Sequence, residues 1–197
     1  MRSLVFWSGG PDSTLSLLDA LRENNDDVIA INIALKCGSG KEILPRWQFE
    51  LSAVRSMHRY ISELVRPFVV HYTEFKEEPY FRIPDMMIFP IYAAGLCNFY
   101  KDIRKIWVGD DVQQDDGVMD KSLLDATKIC IYPKRFPETI LDIEYHPAAG
   151  KNRTKQQIRE QLGEVLWAMS WSCRSPSLTG QVCWNCESCK ERLTTHA

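Results

Sequence analysis

Short apolar runs alternate along this chain with longer stretches in which apolar residues recur at helical spacing. Leu4-Val5-Phe6-Trp7 reads as a buried strand, and Leu15, Leu17, Leu18 and Leu21 as one face of an amphipathic helix. Val28 to Ile33 is a second apolar strand, reached within a few residues of that helix, as a right-handed crossover between parallel strands requires. After a polar loop from Lys36 to Lys41, the stretch Pro45 to Leu64 places Phe49, Ala53, Met57, Tyr60, Ile61 and Leu64 at helical spacing, and Pro67 ends it. Phe68 to Tyr72 is a third strand, Met86 to Tyr100 a largely apolar helix containing Pro90, and Ile106 to Gly109 a fourth strand closing on a glycine. Ile140 to Glu144 fits a fifth strand, and Thr154 to Trp167 a last helix with Thr154 near its start. This alternation predicts an α/β fold built on a parallel sheet.

Composition narrows the class. With 197 residues, 45% hydrophobic and 25% charged, the chain can bury one sizeable core. It shows no internal repeat or low-complexity linker, so residues 1–197 are expected to form a single domain, with the cysteine-rich end from 170 to 197 as an appendage on it. A formal net charge of -2 argues against strong general binding to nucleic acid and favours a small-molecule substrate. No segment reaches the roughly 18 consecutive apolar residues of a membrane span, and Met1 leads into a strand and polar glycines rather than a secretion signal. The expected setting is the cytoplasm, with no membrane partner.

Between the first strand and its helix lies Ser8-Gly9-Gly10-Pro11-Asp12-Ser13, followed by Thr14. Glycines let a backbone turn tightly and approach an anion, a helix start offers unpaired amides and a positive dipole end, and Ser8, Ser13 and Thr14 add hydroxyl donors. A plain turn with a helix cap would need far less than six ordered residues in this strand-to-helix context. Asp12 would repel phosphate by itself, so its role is to hold Mg2+ or to fix the loop. Further on, Gly38-Ser39-Gly40-Lys41 imitates the end of a Walker loop, but Glu42 replaces the required Ser or Thr, and Leu35 stands where the leading glycine belongs. That stretch reads as a simple solvated loop or as a mobile loop on the substrate or ATP side. Asp110 to Asp120 is an acid-rich loop at the carboxyl end of the fourth strand, where open α/β sheets place ligands. It is a candidate site wall or a solvated surface.

Four of the seven cysteines fall in one spacing, Cys173-x9-Cys183-x2-Cys186-x2-Cys189. Two close steps pin neighbouring corners of a tetrahedron, and four thiolates leave no open position, so the reading is a structural zinc holding a tail too short for its own core. An iron-sulfur cluster and a redox dithiol are the competing readings. Lys190 and Arg192 would offset the charge of a tetrathiolate. Cys37, Cys97 and Cys130 are scattered and read as small hydrophobes or incidental thiols. His58, His71, His146 and His196 have no metal-ligand spacing and read as structural or surface groups.

The string from Ser8 to Ser13 matches the S-G-G-x-D-S signature of PP-loop ATP pyrophosphatases. Ser170-Trp171-Ser172-Cys173, the cysteine cluster and Arg192 resemble the end of the 7-cyano-7-deazaguanine synthase family, which carries (T/S)-W-S-C and then C-x2-C-x2-C-x2-R. Glu50-Leu51 with Ala53 and Thr154-Lys155 are shorter matches to that family. The resemblance implies a three-layer α/β sandwich of the adenine-nucleotide alpha-hydrolase-like (PP-loop) type, a ligase that uses ATP and Mg2+, a bound Zn2+, and a role in queuosine biosynthesis. It also points to a homodimer.

The implied reaction converts 7-carboxy-7-deazaguanine to the nitrile with ammonia. The substrate carboxylate attacks the α-phosphorus of ATP, pyrophosphate leaves, ammonia displaces AMP to give an amide, and a second ATP activates that amide for loss of AMP to the nitrile. Ser8, Gly9, Gly10, Pro11, Asp12, Ser13 and Thr14 would bind ATP, with Asp12 and Ser13 catalytic, and Cys173, Cys183, Cys186 and Cys189 would hold the metal. The chain departs from the family on the substrate side. Where the family has V-P-G-R-N it reads Ile83-Pro84-Asp85-Met86-Met87, and the Asp110 to Asp120 loop only loosely echoes the family's base-binding segment. An enzyme that stops at the amide or passes the activated acid to another acceptor, and a nucleotide-binding module without turnover, are the alternatives.

Overall fold

The structure is a computed structural model that describes residues 1–23, 25–37, 46–77, 85–108, 144–146 and 153–195. Strand β1 (Arg2–Phe6) feeds helix α1 (Pro11–Glu23), then come β2 (Asp27–Cys37), α2 (Arg46–Leu64), β3 (Val69–Glu77), α3 (Asp85–Phe99), β4 (Ile103–Val108) and β5 (Glu144–His146). Two helices follow, α4 (Lys155–Met169) and α5 (Glu187–Thr194). Among the described residues, five strands pair in the order β3-β2-β1-β4-β5, and every pairing is parallel.

Side chains on the two faces of β1 sort the helices into layers. Val5 and Trp7 pack with Leu15, Leu18, Val54, Met57, Ile158 and Leu166, so α1, α2 and α4 cover one face. Leu4 and Phe6 pack with Ala93, Ala94 and Cys97, so α3 covers the other. That placement follows from handedness: the steps from β1 to β2 to β3 run one way across the sheet, the return to β4 runs the other way, and right-handed crossovers then fall on opposite faces. The result is a three-layer sandwich in which the direction of winding reverses beside β1.

The strands differ from the sequence expectation mostly in length. β2 and β3 both run on past Ile33 and Tyr72, with Leu35 opposite Phe75, Lys36 opposite Lys76 and Cys37 opposite Glu77, so Lys36 and Cys37, expected in a loop, belong to a strand. β4 begins three residues earlier than expected. The fifth strand is Glu144–His146, shifted from the expected Ile140 to Glu144, of which 140–143 lie outside the described residues. Leu64, assigned to the core face of α2, is 58% exposed, because it sits in the last turn, beyond the sheet. Cys97 is buried as expected, and desolvation pushes its thiol up to about 12. Gly38 to Lys41, Asp110 to Asp120, Cys130 and His196 lie outside the described residues.

Thr154 caps α4 with a full capping box. Its hydroxyl accepts from the Gln157 amide at 3.2 Å, and its own amide donates to Gln157 Oε1 at 2.8 Å. Beyond that start the expectation of one continuous helix fails, since Gly163, at φ 74° and ψ 164°, breaks α4 into two segments. Helix α5, inside the cysteine tail, has no counterpart in the hydrophobic pattern. Its eight residues include one buried side chain, Cys189. No helix among the described residues is long and apolar enough to cross a membrane.

Candidate functional site

The turn after β1 is built by hydrogen bonds that its own residues supply. Gly9 takes φ +84°, and a Cβ there would lie 2.9 Å from Val54 Cγ2 and 3.1 Å from the Glu50 carbonyl, so only glycine fits both the conformation and the space. Pro11 opens α1 at the first helical position, where its missing N–H costs nothing. Thr14 donates its hydroxyl to the Gly10 carbonyl at 2.7 Å and accepts the Trp7 indole N–H at 3.0 Å. Asn32 of β2 donates to the Trp7 carbonyl at 2.9 Å and fixes the strand end from the other side.

These contacts sort the sequence-predicted residues. Ser8 is exposed, and its hydroxyl lies 3.0 Å from that of Ser13, which also donates to the Gly10 carbonyl at 3.2 Å. Thr14 is fully buried with its hydroxyl committed inward, so it shapes the turn from behind and cannot reach an anion at the mouth. The amides of Asp12 and Ser13, in the first turn of α1, have no acceptor within the helix and sit at its positive end. The turn lies at the carboxyl end of the central strand, beside the point where the winding reverses, which is where open sheets of this kind bind ligands.

Asp12 is already partnered. Lys155, the first residue of α4, places Nζ 2.8 Å from both carboxylate oxygens, and Glu191 of α5 lies 3.8 Å from the same ammonium. Pro11, Asp12, Lys155, Ser172, Glu191 and Arg192 line a cleft of about 40 Å³, the size of a water or a small cation. In the sequence Lys155 stands out only as half of the short Thr154-Lys155 match. The pairing spans 143 positions, and no local pattern could have placed that ammonium on the loop's aspartate.

The four tail cysteines converge as expected. Their Sγ atoms all lie within 4.8 Å of one another, with Cys183 and Cys189 at 3.9 Å. A single ion held tetrahedrally at about 2.3 Å puts its sulfurs about 3.8 Å apart, which this set matches. A cubane cluster interposes four irons and needs wider spacing. The amides of Asn185 and Cys186, the latter at 3.3 Å, donate to Cys183 Sγ and lower that thiol to about 6, while burial pushes Cys189 up to about 12. Trp184 takes a left-handed φ of 56° to close the Cys183 to Cys186 turn. His58 and His71 stay structural, bonded to the Phe68 carbonyl at 3.2 Å and the Tyr100 hydroxyl at 2.9 Å.

A parallel sheet wound in both directions from a central strand, with helices on both faces, defines an α/β three-layer fold, with a glycine turn at that strand's carboxyl end and four converging cysteines in the tail. Among solved structures, the U34-tRNA thiolase NcsA from Methanococcus maripaludis, with its 4Fe-4S cluster, is similar to this chain. The two align with a TM-score of 0.50 and 12% sequence identity over 98% of this chain and 63% of that one. This chain thus spans 63% of the thiolase's length, and likeness at that identity bears on the fold alone. No protein-family model matches the chain, and no curated protein matches it.

Proposed function

We propose that the protein is an ATP-dependent adenylating ligase that activates the carboxylate of a 7-deazaguanine, converting 7-carboxy-7-deazaguanine to its nitrile with ammonia. The observation that carries this reading is the Ser8 to Ser13 turn, with a glycine that no other residue can replace, the exposed Ser8 hydroxyl at its mouth and helix-start amides at the reversal point of the sheet. The Ser170 to Cys173 stretch and the four converging thiols support the particular substrate, because their pairing with this loop is what the chain shares with the deazaguanine nitrile synthases.

In this reading the amides of Asp12 and Ser13 and the Ser8 hydroxyl receive the pyrophosphate end of ATP, while the buried Ser13 hydroxyl, bonded to the Gly10 carbonyl, shapes the turn and orients Ser8. The substrate carboxylate attacks the α-phosphorus, the bond to pyrophosphate breaks, and the departing charge meets donors that need no reorganisation. Asp12 would hold Mg2+, and Lys155 beside it would supply a positive charge to the triphosphate. Zn2+ on Cys173, Cys183, Cys186 and Cys189 would have no open position, so its part is structural. Ammonia then displaces AMP, and a second adenylation of the amide oxygen, followed by loss of AMP and a proton, leaves the nitrile.

The test is product analysis by mass on the metal-loaded protein incubated with ATP, Mg2+, ammonium and the carboxylated deazaguanine. Nitrile, AMP and pyrophosphate are expected. Amide as the final product shortens the reaction by one adenylation, ADP overturns the pyrophosphatase chemistry, and binding of ATP without turnover reduces the protein to a nucleotide-binding module.

A further inference from the structure

Arg192 follows the last cysteine by three positions, and neither the nucleotide loop nor the metal ligands account for it. It lies on α5, the helix that carries Cys189. Its Nη1 donates to the Ser170 carbonyl at 2.8 Å, its Nη2 donates to the Trp167 carbonyl, and its guanidinium lies 4.8 Å from the centre of the Trp167 ring. Those carbonyls belong to the end of α4, where a helix leaves its acceptors without intrahelical partners, and the Trp167 carbonyl also accepts the Ser170 hydroxyl at 2.7 Å. A planar guanidinium from the cysteine-held helix satisfies two of them at once.

Seating α5 in this way brings two links to the nucleotide loop. Glu191, the neighbour of Arg192, faces Lys155 at 3.8 Å, and Lys155 grips both oxygens of Asp12 at 2.8 Å. Trp171, two residues before the first cysteine, donates its amide to the Gly9 carbonyl at 2.8 Å and stacks on Phe49 of α2 at 5.0 Å. Its indole N–H donates to the Cys173 carbonyl at 3.1 Å. The left-handed glycine is therefore held directly by Trp171, two residues before the first cysteine, and the aspartate indirectly, through Lys155, by Glu191, two residues after the last.

We propose that the cysteine centre and the nucleotide loop are energetically coupled, with Arg192 as the positioning residue that docks one on the other, so that a bound metal strengthens Mg-ATP binding and Mg-ATP slows metal loss. The coupling rests on the reading of Ser8 to Ser13 as the ATP loop. Linkage makes it reciprocal: whatever factor the metal adds to nucleotide affinity, the nucleotide adds to metal affinity. Arg192 is the informative position because its removal leaves all four thiols in place while freeing the end of α4.

The experiment uses the full-length, metal-loaded protein. Metal transfer to a chromogenic chelator is timed with and without Mg-ATP, and the Kd for Mg-ATP is measured by calorimetry on loaded and stripped protein. Mg-ATP is expected to slow metal release, and stripping to weaken Mg-ATP binding about tenfold, the factor by which Mg-ATP should in turn lower the metal's Kd. Arg192→Ala should retain metal, bind Mg-ATP about tenfold more weakly and lose the protection, raising KM for ATP more than it lowers kcat. Arg192→Lys, which keeps the charge without the two-pronged geometry, should recover part of the loss. If Arg192→Ala does not fold by circular dichroism, Glu191→Gln gives the same readouts with the clamp intact, and a partial loss of protection is expected. Metal release indifferent to bound Mg-ATP, or a wild-type Kd in the folded variant tested, overturns the coupling alone. A wild-type protein that does not bind Mg-ATP overturns the functional reading and the coupling with it.

Discussion

At Gly9 a backbone requirement and a steric one coincide. The residue sits at φ +84°, and the first atom of any side chain would press on Val54 at 2.9 Å and on the Glu50 carbonyl at 3.1 Å. Neither neighbour can yield cheaply, since one is core and the other helix backbone. Gly9→Ala is therefore expected to cost on the order of 1–3 kcal/mol of stability and to weaken Mg-ATP binding at least tenfold, as read by a denaturant melt and a titration. Gly10 provides the contrast. A Cβ there meets nothing closer than the Ser8 hydroxyl at 3.4 Å, so Gly10→Ala should melt like the wild type and lose only affinity. Equal stability losses at the two positions would mean that the turn is not held as described. The need for glycine was legible in the sequence from the motif. What divides the two glycines was not, because it depends on α2 packing against the turn.

Helix α4 shows where periodicity stops being informative. Ile158, Leu162, Leu166 and Trp167 are all buried, so the apolar spacing runs straight through Gly163 and predicts one rod. The backbone at that glycine, φ 74° and ψ 164°, is open almost solely to a residue without a Cβ. The kink lets Arg159 of the first segment reach the Thr195 carbonyl at 2.5 Å, while the second segment presents Trp167 to Arg192. In a straight helix, Gly163→Ala would stabilise the protein by roughly 0.5–1 kcal/mol. At this kink it should instead destabilise by about 1–3 kcal/mol. The sign of the shift in a thermal melt decides between them, with no clash to confuse the result, since a Cβ at Gly163 meets nothing within 4 Å. Other differences from the sequence reading have the same origin. The Thr154 cap is a local signal and was readable. The extension of β2 to Cys37 depends on β3 lying beside it, and Lys36 is held there by Glu74 at 2.7 Å and by the Trp47 ring at 4.3 Å, partners that no window around residue 36 contains.

Across the molecule, the sheet, its parallel sense and the position of the loop follow from the alternation of strands and helices, and the thiol cluster follows from its spacing. How tail and core join does not, because Trp171 on Gly9, Arg192 on Trp167 and Arg159 on Thr195 are all contacts of polar groups with backbone carbonyls. Those joints determine what metal removal does. The tail buries few side chains, chiefly Ser170, Cys173, Pro176, Cys189 and Thr195, so an ion on its cysteines would supply much of its order. Free metal at about 1,000 times its Kd contributes about 4 kcal/mol, and at roughly 2–4 °C per kcal/mol for a chain of this size the stripped protein should melt on the order of 10 °C lower. Were the tail merely hung on the core, chelation would leave the main transition where it was and confine tryptic cleavage to Arg174, Lys190 and Arg192. Because the tail instead holds the Gly9 carbonyl, the Asp12 pair and the end of α4, the whole transition should move and stay single by calorimetry, with tryptic cleavage spreading into α4. A main transition that stays in place after complete metal removal would show that the joints carry no stability.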